Sequence, residues 1–174
     1  MPHGIFIAAV DENWGIAKDH KIPWHYPEDF KFFKERTKNL YCVMGYNTYK
    51  EISEMRGYPH RNGELLPGRN CMVLTSHDIP TNNHVTKLSH LETLSIYSYS
   101  FAFIGGTSIY DYAMGENSFN CGMNYGYITR IKKDYGCNMF FNHELLEKNY
   151  ELGMVVAETD ELRFEKWIRK TECD

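Results

Sequence analysis

Short apolar runs alternate along most of the chain with stretches of helical length. GIFIAAV (4–10), LYCVMG (40–45), CMVLT (71–75), HVTKL (84–88) and FAFIGG (101–106) are interleaved with DFKFFKERT, NTYKEIS, HLETLSIY and TSIYDYAM. Strands separated by helices form βαβ units, and the near-continuous apolar character of the runs suits parallel strands buried on both faces. After residue 120 the helices stop, and YGYITRI, YELGMVVAE and LRFEKWIRK follow one another as strand-like runs. The expected fold is α/β: a twisted, mostly parallel sheet of roughly eight strands with an antiparallel C-terminal edge and helices on both faces. A length of 174 residues suits one domain over 1–174, large enough to bury its own core. The longest polar gap, SEMRGYPHRNGE (53–64), reads as a Gly- and Pro-bearing loop rather than a linker.

Charge and cysteine usage narrow the function classes. A net charge of -4 lacks the basic excess that nucleic acid or an anionic membrane would call for. No apolar run approaches the roughly 18 residues that cross a bilayer, and the first residues lack the pattern of an export signal. The five cysteines are odd in number and contain no CxxC pair, so a reducing cytoplasm is expected. The eight histidines show no ligand spacing, and no metal is expected.

PWHYPEDFKFFKERT (23–37) places two acids ahead of three phenylalanines. Pro27 suits a first helical turn, which predicts a helix running to about Thr37. Acids there ordinarily favour the positive end of the helix dipole. At about 100° per residue, however, the two point apart. Glu28 falls with Lys31 and Glu35, whereas Asp29 falls between Phe32 and Phe33 on an arc continuing to Phe30. A carboxylate on an apolar face has its pKa raised unless a partner stabilises the charged form, and it suits binding a polar ligand or managing a proton. Arg36 is near enough to be a purely structural partner.

IGGTSIYDY (104–112) leaves a strand through two glycines and enters a helix, so backbone N–H groups can face a phosphate. A tight turn explains two glycines equally well. MGYNTY (44–49) repeats the plan, and two such junctions from parallel strands point to one end of the sheet, where a dinucleotide could lie across them. LPGRN (66–70) sets Arg69 after a Pro-Gly turn; held in place, it could grip a carboxylate.

IAAVDENWGIAKDHKIPW, PEDFKFF, VMGYNTY, LPGR, IGGTSIY and YITRI together resemble the dihydrofolate reductase family in order and spacing over most of residues 5–141. The resemblance implies NADPH-dependent reduction of dihydrofolate to tetrahydrofolate, by hydride transfer to C6 with protonation at N5, in a cytoplasmic monomer sensitive to antifolate-type inhibitors. It matches Asp29 to the acid that holds the pteridine and supports protonation, Thr129 to that acid's hydrogen-bond partner, and Trp24 to a tryptophan that fixes a nearby water. Ile7, Ala8, Phe30, Phe33, Ile52, Leu66 and Ile104 match apolar walls around the substrate, and Arg69 with Lys34 matches the site of the glutamate tail. Ala9, Ile16 and Tyr110 match residues near the nicotinamide, Ile104 and Ile109 match further cofactor-binding positions, and Gly45, Thr48, Gly105, Gly106 and Thr107 match pyrophosphate-binding turns, the glycine pair with a cis peptide. The segment from Ile16 to Trp24 matches a loop that closes over the nicotinamide, with Ile22 at its tip.

Several positions depart from the family pattern. Tyr46 stands where relatives have Arg or Lys, and Ser108 where some have Arg, leaving Thr75, Ser76 and His77 near the ribose 2′-phosphate. This predicts weaker discrimination between NADPH and NADH. The 53–64 loop is longer than usual and could border the folate tail, Ala17 replaces a glycine, Tyr49 a tryptophan, and Asn138 an acid that helps hold the mobile loop. A pyrimidine reductase of riboflavin synthesis shares the fold but has no need of Asp29, Trp24 and Arg69 together. A binding protein without turnover would keep the fold alone.

Overall fold

The computed structural model describes residues 3–60, 62–115 and 123–170. In chain order it contains β1 (His3–Val10), β2 (Gly15–Ala17), α1 (Pro27–Thr37), β3 (Tyr41–Gly45), α2 (Tyr46–Arg56), β4 (Cys71–Leu74), β5 (Val85–Leu88), β6 (Ser100–Gly105), α3 (Thr107–Met114), β7 (Tyr125–Ile131), β8 (Met139–Phe140), α4 (His143–Asn149), β9 (Tyr150–Glu158) and β10 (Leu162–Arg169). Eight strands form one sheet in the order β5-β4-β3-β6-β1-β7-β10-β9, while β2 and β8 pair separately. Within the large sheet β10 is antiparallel to both β7 and β9 and the remaining pairs are parallel, while the separate β2–β8 pair is antiparallel. That is the α/β sheet with an antiparallel C-terminal edge expected from the apolar runs.

Alternation along β1 divides the core between the two faces of the sheet. Phe6, Ala8 and Val10 pack with Ile109, Tyr110, Ala113 and Met114 of α3 and Leu146 of α4. Ile5 and Ile7 pack with Phe32 of α1 and Tyr49 of α2 on the other face. Full burial of each large side chain contributes about 1.5–3 kcal/mol. Phe6 also dictates the residue beside it on β7, because a methyl group at Gly126 would lie 2.4 Å from its ring carbons.

Two local readings are corrected. HLETLSIY forms a 3-10 turn over Leu91–Ile96, because only Leu91 and Leu94, three residues apart, are buried there. Helices do not stop after residue 120: α4 follows Asn142, whose side chain caps it by accepting the Leu145 N–H at 3.1 Å. With seven residues, α4 is too short to display a helical period. The 53–64 segment begins as the last turn of α2, which Gly57 ends at φ 68°. Arg61, Cys121 and Cys173 lie outside the described residues.

The strand ladders create an opening. β1 pairs with β6 only from His3 to Phe6 but with β7 from Ile5 to Val10. Beyond Phe6 it stays with β7 and leaves β6. The cleft lies at the carboxyl ends of the parallel strands, where open α/β sheets bind ligands.

Candidate active site

Across this opening, the Tyr110 hydroxyl on α3 lies 2.9 Å from the Ile7 carbonyl and 2.7 Å from the Ile104 carbonyl. One buried hydroxyl thus joins the ends of β1 and β6. Its pKa is pushed strongly up, first by burial and then by the charge of Asp29, so it stays a donor.

Asp29 approaches from the start of α1. The helix begins at Pro27, as its sequence predicts, and Asp29 is half-buried while Glu28 is exposed. Burial pushes the Asp29 carboxyl above the ordinary aspartate value, and a hydrogen bond from the Thr129 side chain draws it partly back. Thr129 is buried on β7 opposite Ala9. Arg36 is occupied elsewhere, 4.6 Å from the Phe32 ring centre and 5.4 Å from that of Tyr127. Among the described residues no ion pair reaches Asp29. It is therefore a carboxyl held by one hydroxyl, its protonated form favoured by burial, able to bind a polar ring edge or share a proton.

Ile7, Ala8, Leu66 and Ile104 are buried, and Phe33 and Ile52 are half-buried. Phe30 is exposed and turns its ring toward His25 at 5.1 Å. Trp24 is buried edge-on to Tyr135, 5.3 Å away. Arg69 is buried and fixed: Nη1 donates to Thr37 Oγ1 at 2.9 Å, Nε donates to the Pro67 carbonyl at 3.2 Å, and the guanidinium lies 5.6 Å from the Phe33 ring centre. Lys34 is exposed. The sequence reading missed Thr37, which orients Arg69; only its spacing to a strand it does not belong to could have revealed it.

The two glycine turns meet. Gly45 and Gly106 precede α2 and α3, and neither helix has a side-chain cap, leaving their first N–H groups for another acceptor. A side chain at Gly105 would collide with Thr48, 2.5 Å from its Oγ1, and one at Gly106 would lie 3.8 Å from the Gly45 backbone. The implied cis bond is corrected: the cis peptide among the described residues is Tyr58–Pro59, and the turn is made instead by φ 97° at Gly106. Ala9, Ile16 and Thr107 are half-buried, while Ile109 is fully buried. Tyr46 stacks on His77 at 4.1 Å, with Thr75 buried and Ser76 and Ser108 exposed. Lys87 lies 3.4 Å from the Ser76 carbonyl and 3.9 Å from Asp78.

The loop from Ile16 to Trp24 is tied at two places. Asn138 accepts the Asp19 N–H at 2.9 Å and donates to the Asp19 carboxylate at 2.8 Å, a reciprocal pair that an acid at 138 could not form. The Ile22 N–H donates to both oxygens of Glu51, at 3.1 and 3.3 Å. Asp11 anchors the preceding turn by accepting N–H groups from Asn13, Gly15 and Tyr135. Glu51 and Asp11 were also missed, although DEN is a recognisable turn in which Asp bonds its own backbone. Among the described residues no His, Cys, Asp and Glu cluster is arranged to hold a metal, and no helix is long and apolar enough to cross a membrane.

The dihydrofolate reductase family model matches residues 5–165. Dihydrofolate reductase HdrB of Haloferax volcanii is 30% identical over 121 residues, covering 64% of this chain and 59% of that protein. The bifunctional dihydrofolate reductase-thymidylate synthase of Daucus carota is 34% identical over 153 residues, covering 77% of this chain but 27% of its own length. The chain thus spans less than two thirds of these relatives. A solved dihydrofolate reductase from Enterococcus faecalis, complexed with NADP(H) and RAB-propyl, superposes with a TM-score of 0.76 at 26% identity over 97% of both chains. A family match over nearly the whole length and the same fold in a solved member agree: the chain belongs to the dihydrofolate reductase family.

Proposed function

We propose that the chain reduces 7,8-dihydrofolate to 5,6,7,8-tetrahydrofolate with NADPH. The observation that carries this reading is Asp29, a half-buried carboxyl with a raised pKa, held by Thr129 and set beside the opening between β1 and β6. Asp29 would bind the pteridine edge and supply the polar contact that favours a proton at N5. Thr129 orients it, and Tyr110 keeps the Ile7 and Ile104 carbonyls in place. Arg69, pre-set by Thr37, suits a bidentate grip on the substrate's glutamate carboxylate, with Lys34 at the same tail. Trp24, Phe30, Phe33, Ile52 and Leu66 form the walls, and the 53–64 loop borders the tail.

The glycine turns fit a dinucleotide. Thr48 closes against Gly105 where a larger residue would intrude, and two uncapped helix N-termini offer N–H groups to its phosphates. Bound there, the reduced nicotinamide supplies the hydride. The loop carrying Ile22 excludes water from that path. With Tyr46 and Ser108 in place of cations, and Lys87 shared with Asp78, discrimination against NADH is weaker than where Arg fills those positions. The reaction needs neither metal, nucleic acid nor membrane, and the reading takes the chain as a cytoplasmic monomer open to antifolate-type inhibitors.

The test is loss of reduced-nicotinamide absorbance with dihydrofolate and NADPH, then NADH, for the wild type and Asp29→Asn. Turnover that collapses in the variant supports the reading; no turnover with either cofactor ends it. For cofactor choice, a comparable kcat/KM with NADH supports weak discrimination. A strong NADPH preference that survives Ser76→Ala and His77→Ala contradicts it.

A further inference from the structure

We propose that Glu51 is a positioning residue that latches the 16–24 loop over the cleft by accepting the Ile22 backbone N–H. The inference rests on the reading above, in which that loop covers the nicotinamide. Both carboxylate oxygens face this one donor, at 3.1 and 3.3 Å. Ile22 itself is 45% exposed, so the backbone bond to Glu51 is a main tie at the tip. Between Ile22 and the Asn138 tie, Asp19 and His20 hold φ values of 50° and 64°, the left-handed conformation of a tight turn, uncommon for non-glycine residues though Asp and His tolerate it better than most. The local turn that joins them is closed by two backbone bonds between Lys18 and Lys21, 2.8 and 3.0 Å long. The loop is thus a stiff hairpin pinned at one end by Asn138 and at the other by Glu51.

The location of the latch connects it to the proposed cofactor site. Glu51 lies in the second turn of α2, whose first turn carries Tyr46 and Thr48 beside the glycine pair. A ligand that orders the start of α2 therefore also orders the acceptor that holds the lid. Burial pushes the Glu51 carboxyl above its ordinary value, with the Ile22 N–H and Lys21 favouring the charged form and Glu54 opposing it. A charged acceptor on a backbone N–H is among the stronger hydrogen bonds a surface loop can make. Losing it lowers the fraction of molecules with the lid closed, and the hydride step falls in proportion to that fraction.

Two readouts on the full chain test this, using Glu51→Ala and Glu51→Gln. Amide hydrogen exchange at Ile22, followed by NMR with NADP⁺ present, reports the latch independently of turnover. Single-turnover loss of reduced-nicotinamide absorbance reports the hydride step. In Glu51→Ala, exchange at Ile22 should rise and the hydride rate should fall about tenfold. The KM for dihydrofolate should change by less than about twofold. Glu51→Gln keeps a carbonyl acceptor and should stay within about threefold of wild type in both. Unchanged Ile22 exchange in Glu51→Ala, or a hydride rate equal to wild type, overturns the proposal; so does a Gln variant as impaired as the Ala variant. A wild type that protects Ile22 but turns over neither cofactor ends the reductase reading instead, and the exchange data alone then decide the latch.

Discussion

Two aspartates flank the loop; burial raises both carboxyls, yet they end on opposite sides of the ordinary aspartate value. Asp11, just before it, is fully buried, yet its carboxyl sits below the ordinary aspartate value. Burial alone would push it up, but the N–H groups of Tyr135, Gly15 and Asn13 and the Cys137 thiol outweigh that penalty. Asp29, just after the loop, has its carboxyl raised because a single hydroxyl opposes desolvation. Four donors at Asp11 against one at Asp29 separate a carboxyl committed to structure from one left to act. Asp11 anchors the turn before the loop; Asp29 is available.

The largest effect separating them should be on turnover. Asp29→Asn should lower kcat/KM for dihydrofolate by roughly 10²–10⁴, the range for loss of a proton-managing group, in steady-state assays. Asp11→Ala should act on stability instead, because three backbone donors lose their acceptor: a loss of about 2–4 kcal/mol visible as a fall in Tm. If Asp11→Ala instead spared stability and removed activity, the assignment of roles would be reversed.

Smaller effects follow from the signs of the two shifts. Asp29 has a raised folded pKa, so its neutral form is favoured by the fold: stability is greatest below the unfolded value of about 3.9 and declines as pH rises through the folded one. Asp29→Asn should therefore raise Tm at neutral pH, an effect that vanishes in acid. Asp11 has a lowered folded pKa, so its contribution is present above about 3.9 and lost as pH falls through the folded value. Acid unfolding below that point should track Asp11. Thr129→Val removes the bond that lowers the Asp29 pKa, and the pH dependence of the hydride step should move toward higher pH. Glu28→Gln, one residue from Asp29 but exposed, should change none of these quantities.

Much of this was legible in the chain itself, because periodic signals carry direction. Helical geometry sent Glu28 to solvent and Asp29 toward the sheet, and the apolar runs ordered the parallel strands. What escaped was set by contacts between distant segments. Asp11 meets Tyr135, Arg69 meets Thr37, Ile22 meets Glu51 and Asp19 meets Asn138, and none of these pairs shares a helix or strand. Short elements escaped as well: β2, β8 and α4 are shorter than the window in which a period becomes visible. The opening between β1 and β6 belongs to the same class, since it arises where a ladder stops.

The most direct measurement is a carbon-13 NMR titration of the aspartate carboxyls in the full chain, with Asp11 and Asp29 assigned by Asp11→Asn and Asp29→Asn. The account requires the Asp29 resonance to titrate above the ordinary aspartate range and that of Asp11 below it. An Asp29 carboxyl that titrates at or below the Asp11 value would contradict it.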